Sequence, residues 1–203
     1  KSPYMAAKIA MLDPELTVTV PPHITASTGM DALTHAIEAY TVKVSEPVSD
    51  ALALYAVELI TQNLARAVKD GEDIEARASM LVGSLLAGIA FSHSDVGSVH
   101  CMAEALGGIY DAPHGVCNAV LLPYVMEYNA ECCIEKYARI AKAMGETFET
   151  SREGAMKAVE RVKKLAKEVG LPSFNSLGVK ESDLERLADM AAGNISTDSN
   201  PRE

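Results

Sequence analysis

The chain carries four side chains of the types that bind divalent metals in proteins: Asp31, His35, His100 and His114. Asp31 and His35 are four residues apart, so on a helix they lie on one face, one turn from each other. A carboxylate oxygen and an imidazole nitrogen in that arrangement can bind one ion. Taken alone, such a pair is more typical of a hydrogen-bonded helix face than of a metal site.

The two remaining histidines favour the metal site. His100 lies in a segment that is otherwise apolar, and His114 lies between a proline and a glycine that fix the backbone at a predicted helix start. Burying an unpaired imidazole costs about 1–3 kcal/mol, and a shared ion removes that cost. Three imidazoles and one carboxylate suit Fe(II), Zn(II) or another first-row divalent ion, and catalysis would need a further open coordination position.

Five other residues near these motifs have simpler interpretations. His23 follows a proline in a predicted loop and is interpreted as a surface or capping residue. His93 is more typical of a hydrogen-bonded structural histidine than of a site residue, and Glu38 can be a charge on a helix face. Cys101 and Cys117 are interpreted as small packing residues.

Composition limits the class of protein. The 203 residues are 48% hydrophobic, enough for a sizeable core, and carry a formal net charge of −10. That charge argues against a nucleic-acid partner. The longest apolar run, residues 80–91, is shorter than the ~20 residues needed to cross a bilayer, and no secretion signal is recognisable. The four cysteines show no Cys-x-x-Cys spacing, which predicts free thiols in a reduced, cytoplasmic protein.

Periodicity predicts an all-α fold preceded by one short strand. The strand covers residues 5–12 and is followed by a turn at Asp13-Pro14; because a single strand cannot satisfy its own backbone, its partner is expected outside this chain. The predicted helices cover residues 25–41, 48–67, 73–92, 95–107, about 116–128, 131–144, 151–169 and 181–193. The helix at 73–92 is apolar on all sides and is predicted to be buried, and the helix at 95–107 is predicted to end at Gly107-Gly108.

Two long motifs surround the candidate ligands. Residues 28–40 (TGMDALTHAIEAY) resemble the first metal motif of the iron-containing (group III) alcohol dehydrogenases. Residues 99–108 (VHCMAEALGG) followed by residues 113–119 (PHGVCNA) resemble the second. The order of Asp-Pro-Glu-Leu near the start and Asn-Pro-Arg near the end also fits, so the resemblance covers essentially the whole chain.

The resemblance implies a helical C-terminal domain of the dehydroquinate synthase-like fold. Family members also have an N-terminal Rossmann-like domain, whose glycine-rich loop binds the pyrophosphate of NAD(P). No such loop is found here, so no cofactor-binding residue is assigned. Residues 1–20 are interpreted as a remnant of the α/β domain, residues 21–203 as the metal-binding domain, and the chain as a fragment truncated at both ends.

The resemblance also implies an activity and a ligand set. Asp31, His35, His100 and His114 would hold the ion, Fe(II) by preference and Zn(II) as the alternative. The intact enzyme would use NAD or NADP to interconvert a small alcohol with an aldehyde or ketone. Its expected partner is the missing nucleotide-binding domain. The sequence leaves open whether the protein also associates with further copies of itself.

One position departs from the family pattern. Most members have a further histidine four residues after the third metal ligand, and this chain has Glu104 there. Glu104 is therefore the candidate catalytic residue, one helical turn from His100 and able to approach the ion. Two other functions stay open from the sequence: an isolated, catalytically inactive helical metal-binding domain, and a helical core that has lost its metal.

Overall fold

The computed structural model describes residues 7–203, and within that range the chain is helical, with no β-strand. The α-helices are α1 Pro22–Thr41, α2 Pro47–Lys69, α3 Ile74–His93, α4 Ser98–Tyr110, α5 His114–Asn129, α6 Ile134–Ala143, α7 Ser151–Glu168 and α8 Leu184–Ala192. Short 3-10 helices cover Pro14–Thr17, Phe174–Leu177, Glu181–Asp183 and Ile195–Ser199. The predicted all-α class is confirmed.

The predicted strand at residues 5–12 is not formed in the part that can be examined. Residues 5 and 6 lie outside the described residues, and residues 7–12 are exposed and without regular structure. A strand needs a neighbouring strand to pair its backbone N–H and C=O groups. The described residues offer no such neighbour. The turn that follows is present, as a 3-10 helix capped by the Asp13 carboxylate, which accepts a hydrogen bond from the backbone N–H of Glu15.

Helix α1 lies at the centre of the domain and packs against α2, α3 and α5. Met30, Leu33 and Ile37 on this helix are fully buried. Gly29 allows α2 to come close, because a Cβ atom at this position would lie 2.3 Å from the Cδ1 atom of Leu64. This packing sets the position of Asp31 and His35, which both lie on α1.

Helix α3 is less buried than predicted. Its inner face contains Gly83, Ala87 and Ala90, but Val82 and Ile89 on the outer face are exposed. By length and composition, α3 is the one helix among residues 7–203 that passes as a membrane span, a weak signal because core helices of globular proteins pass as well. The periodicity could not show this exposure, since an apolar outer face looks the same in sequence whether or not another surface covers it.

Helix α4 does not end at the Gly107-Gly108 pair as predicted. It continues to Tyr110 and ends at Asp111, which has a left-handed backbone conformation with φ 51°. Glycine inside a helix costs only about 1 kcal/mol relative to alanine, and the packing of α4 against α5 and α8 outweighs that cost. The last predicted helix, 181–193, begins as a 3-10 turn and becomes α8 at Leu184.

The C-terminal segment is tied to the body of the domain through Asn200. This residue is buried, and its side-chain amide exchanges two hydrogen bonds with that of Asn129 at the end of α5, at 2.9 and 3.0 Å. Its Oδ1 atom also lies 3.5 Å from the backbone nitrogen of Ser98, which it accepts from, at the start of α4. The segment therefore fixes the N-terminal end of the helix that carries His100.

Candidate metal centre

Three helices bring the four predicted ligands to one place. Asp31 and His35 lie one turn apart on α1, His100 lies in the first turn of α4, and His114 is the first residue of α5. The carbonyl of Pro113 accepts hydrogen bonds from the backbone N–H groups of Val116 and Cys117, so α5 begins at His114.

The ligand atoms of Asp31, His100 and His114 all lie within 4.8 Å of one another. The Oδ1 atom of Asp31 is 3.5 Å from the Nε2 atom of His114 and 4.0 Å from the Nε2 atom of His100. Ligands at about 2.0–2.1 Å from one ion are separated from each other by about 3–4 Å. Both distances from Asp31 therefore fall in the range that two ligands of one first-row ion require.

His35 lies beside this group of three rather than within it. Its ring packs on that of His100, with 4.2 Å between centroids, and on that of Phe91, with 4.6 Å. Its Nδ1 atom is 2.9 Å from the backbone carbonyl of Asp31. With Nδ1 donating to that carbonyl, Nε2 keeps its lone pair and is available as a ligand. Burial, and then the neighbouring His100, lower the pKa of His35 although Asp31 opposes them, and the neutral imidazole that results is the form that binds metals.

The cluster is closed on one side and open on the other. The side chain of His100 is 4% exposed, whereas those of Asp31 and His114 are 23% and 47% exposed. An open groove of about 480 Å³ runs along the cluster between α1 and α3. It is lined by Thr28, Asp31, Ala32, His35, Ser84, Ala87, Gly88 and Phe91. A small molecule in the groove can therefore reach Asp31 and His35.

One buried polar atom in the cluster indicates that a ligand belongs there. The Nε2 atom of His100 is buried and has no hydrogen-bond partner among residues 7–203. Leaving such an atom unpaired costs about 1–3 kcal/mol, and it faces Asp31 and His114. A divalent ion bound by these residues would use this lone pair, so the residues present fit the metal that the resemblance implies.

Glu38 is a site residue that the sequence did not identify. Its side chain is buried, its Oε2 atom is 2.5 Å from the Nδ1 atom of His100, and its Oε1 atom accepts a hydrogen bond of 2.7 Å from the backbone N–H of Val99. The carboxylate thus binds the N-terminal end of α4 and orients the imidazole of His100. The only signal in the sequence was a position one helical turn after His35, which equally fits a surface charge.

Two glycines allow these close approaches. A Cβ atom at Gly115 would lie 2.5 Å from the backbone oxygen of Ser27, so the start of α5 can touch α1 only because this side chain is missing. A Cβ atom at Gly97 would lie 3.0 Å from the Oε1 atom of Glu38. Neither requirement can be read from one sequence, because it depends on which backbone comes to lie opposite.

Glu104 does not join the cluster of ligand atoms. It lies on α4 one turn after His100, but its Oε2 atom accepts a hydrogen bond of 2.6 Å from the side-chain amide of Asn194. The group of three ligand residues within 4.8 Å does not include it.

The remaining candidates occupy ordinary positions. His93 is exposed and its Nδ1 atom is 2.9 Å from the carbonyl of Ile89 in its own helix. His23 is exposed, within the first turn of α1 rather than in a loop. Cys101 and Cys117 are buried, as expected of packing residues, and all four thiols are free within the described chain.

Comparison with known proteins assigns this helical domain to a family. The family model described as "Fe-containing alcohol dehydrogenase family, C-terminal" matches residues 25–203. The chain therefore belongs to the iron-containing alcohol dehydrogenase family, of which it contains the C-terminal domain, and the family resemblance predicted from the two motifs is confirmed.

Two curated relatives and one solved structure illustrate the similarity. The 1,3-propanediol dehydrogenase of Klebsiella pneumoniae is 46% identical over 198 residues, which cover 96% of this chain and 51% of that protein. The NAD-dependent methanol dehydrogenase of Bacillus methanolicus is 43% identical over 197 residues, covering 96% and 52%. A crystal structure of a 1,3-propanediol oxidoreductase has a TM-score of 0.92 and 48% identity, over 94% of this chain and 51% of that one. The chain thus spans about half the length of these relatives.

Proposed function

We propose that this chain is the metal-binding half of an NAD(P)-dependent alcohol dehydrogenase that interconverts alcohols with aldehydes or ketones. The observation that carries the proposal is the meeting of Asp31, His100 and His114, with a buried and unpaired Nε2 atom on His100. Relatives named as 1,3-propanediol and NAD-dependent methanol dehydrogenases support the type of reaction.

In this proposal the four predicted residues hold one divalent ion, Fe(II) by preference and Zn(II) as the alternative. His35 completes the set from its place against His100. When bound, the ion supplies Lewis-acid polarisation of an alcohol or carbonyl oxygen. The residues of this chain hold their ligand atoms at fixed separations, Glu38 orients His100, and the groove beside α3 admits the substrate.

Glu104 is proposed as the residue that replaces the family histidine near the substrate. Its carboxylate can accept a proton, but it differs from imidazole in charge and in the direction of its hydrogen bonds. Asn194 fixes that carboxylate in position.

The nucleotide side of the active site is proposed to lie in a domain upstream of this one. In that view residues 1–20 belong to the α/β domain, and residues 21–203 form the metal-binding domain. The exposed apolar residues Val82 and Ile89, on the outer face of α3 away from the groove, support a covering partner on that face, either that domain or a further copy of the protein. A cytoplasmic location and the absence of nucleic-acid and membrane partners stay predictions.

A second candidate function applies to the chain on its own. An isolated helical domain without a nucleotide site would bind metal and transfer no hydride. The half-length match to the relatives favours this behaviour for the separate chain.

A chimera tests both candidates. The upstream half of the Klebsiella 1,3-propanediol dehydrogenase is fused to this chain, and NAD reduction is measured with small primary alcohols after loading with Fe(II) or Zn(II). We expect turnover by the chimera, none by the chain alone, and none by the His114→Ala chimera. Metal analysis of the separate chain should find one ion per molecule, and a chain that binds neither metal would overturn the proposal.

A further inference from the structure

Asn118 touches two of the ligand atoms and was not singled out by its sequence position. It lies on α5 one turn after His114 and is completely buried. Its Nδ2 atom donates a hydrogen bond of 2.5 Å to the Oδ1 atom of Asp31 and lies 3.0 Å from the Nε2 atom of His114. One amide group therefore contacts ligand atoms from α1 and α5 at the same time.

The chemistry of these contacts fixes the orientation of the amide. If it were rotated by 180°, the Oδ1 atom of Asn118 would face the carboxylate of Asp31, and two acceptors would meet without a proton between them. With Nδ2 towards Asp31, the second amide hydrogen can be donated to His114. That donation requires a lone pair on Nε2 and so selects the tautomer of His114 that can bind a metal through this atom. Because an imidazole nitrogen has one such lone pair, a bound ion would replace this hydrogen bond, while the hydrogen bond to Asp31 would remain.

The oxygen end of the Asn118 amide forms no hydrogen bond to another helix among the described residues. The Oδ1 atom of Asn118 is buried and has no hydrogen-bond partner within residues 7–203. A buried asparagine kept for stability would be expected to satisfy both ends. The hydrogen bonds it does make are directed to the metal-site residues.

We infer that Asn118 is a positioning residue of the metal centre, which holds the carboxylate of Asp31 in the orientation that binds a divalent ion and, before the ion binds, keeps His114 in its metal-binding tautomer. The inference rests on the proposed metal site. Because a carboxylate oxygen has two lone pairs, Oδ1 of Asp31 can accept from the amide and still bind an ion. Partners of this kind typically change metal affinity by about 10–100-fold when removed.

The test compares Asn118→Ala and Asn118→Leu with the parent chain. Zinc affinity is measured by competition with a chromophoric chelator, and Tm is measured with and without zinc. The leucine variant keeps the branched shape and removes both polar atoms. Asn63→Ala is the matched control, since Asn63 is also buried but bonds only within α2, to Leu59 and Arg66.

We expect the Kd for zinc to rise by about 10–100-fold in both Asn118 variants, and the rise in Tm caused by zinc to shrink. Asn63→Ala should lower Tm equally with and without zinc and leave the Kd unchanged. Should either folded Asn118 variant bind zinc as tightly as the parent, the positioning role is overturned. A parent chain that binds no zinc would instead overturn the proposed metal site, and with it this role.

Discussion

The Oε2 atom of Glu38 lies 2.5 Å from the Nδ1 atom of His100, and this contact links the buried end of α1 to the metal face of α4. The same carboxylate binds the backbone N–H of Val99. Because Nδ1 of His100 is occupied by Glu38, its Nε2 atom is the one that faces Asp31 and His114. A hydrogen bond between two helices therefore decides which nitrogen of the imidazole is free for the proposed ion.

Replacing Glu38 with glutamine should weaken metal binding. Glutamine keeps the shape but offers one acceptor and one donor where two donors, His100 and the Val99 N–H, must be bound. We expect the Kd for zinc to rise by about 10–100-fold and the free energy of unfolding to fall by about 1–3 kcal/mol. Chelator competition and urea unfolding measure the two effects.

The control for this prediction is Glu58→Gln, which changes an exposed glutamate on α2. This substitution should change neither the free energy of zinc binding nor the free energy of unfolding by more than about 0.5 kcal/mol. Equal zinc affinity in the Glu38 variant and the parent chain would show that the contact with His100 has no part in binding.

Adding one methyl group at Gly115 should disturb the junction between α1 and α5. A Cβ atom there would lie 2.5 Å from the backbone oxygen of Ser27 and 3.4 Å from the Cβ atom of Asp31. The backbone must shift, so Gly115→Ala should cost about 1–3 kcal/mol of stability and weaken zinc binding. Urea unfolding and zinc titration give the result.

Gly108→Ala is the matched comparison for that variant. Gly108 also lies within a helix, but its added Cβ would meet only the Cε atom of Met190 at 4.0 Å. This substitution should stabilise the protein by about 0.5–1 kcal/mol, since alanine is the better helix former. If Gly115→Ala stabilises the chain as Gly108→Ala does, the result contradicts the close approach of α5 to α1 at Gly115.

Metal should stabilise the folded chain against unfolding. The ligands lie on three separate helices, so the complete site exists only in the folded state. At a free zinc concentration of about 100 times the Kd, the free energy of unfolding should rise by about 2.7 kcal/mol. Thermal melts with zinc measure this stabilisation, and melts with excess chelator measure its reversal. The His114→Ala variant should be stabilised by zinc hardly at all.

The four cysteines should differ in reactivity. Cys132 is exposed, and the other three are buried. Burial raises the pKa of Cys133 to about 11 and also raises the pKa of Cys101 and of Cys117. A raised pKa means less thiolate at a given pH, and the thiolate is the form that reacts.

At pH 8, iodoacetamide should therefore modify the native chain once, at Cys132, as mass spectrometry of its peptides can show. All four thiols should react in 6 M guanidinium, which serves as the positive control. Rapid labelling of Cys133 in the native chain would contradict the packing at the start of α6.

The sequence alone determined a good part of this protein. Periodicity and turn residues predicted the α-helices, and Asp31, His35, His100 and His114 predicted a metal site. The two motifs around these residues resembled a family to which the comparisons assign the chain. These features are local, or depend on residue types that have few other uses in a buried helix. They can therefore be read along one chain.

Only the tertiary structure decided the remainder. It showed that Glu38 and Asn118 contact the predicted ligands His100 and Asp31, and that Gly115 is required by the backbone of α1. It also showed that α4 continues through its glycines and that one face of α3 is exposed. Each of these depends on what lies opposite a residue in another helix. Hydrogen-bond direction and steric clearance act over a few ångströms between segments far apart in the chain, so neither is recorded in the local pattern of residues.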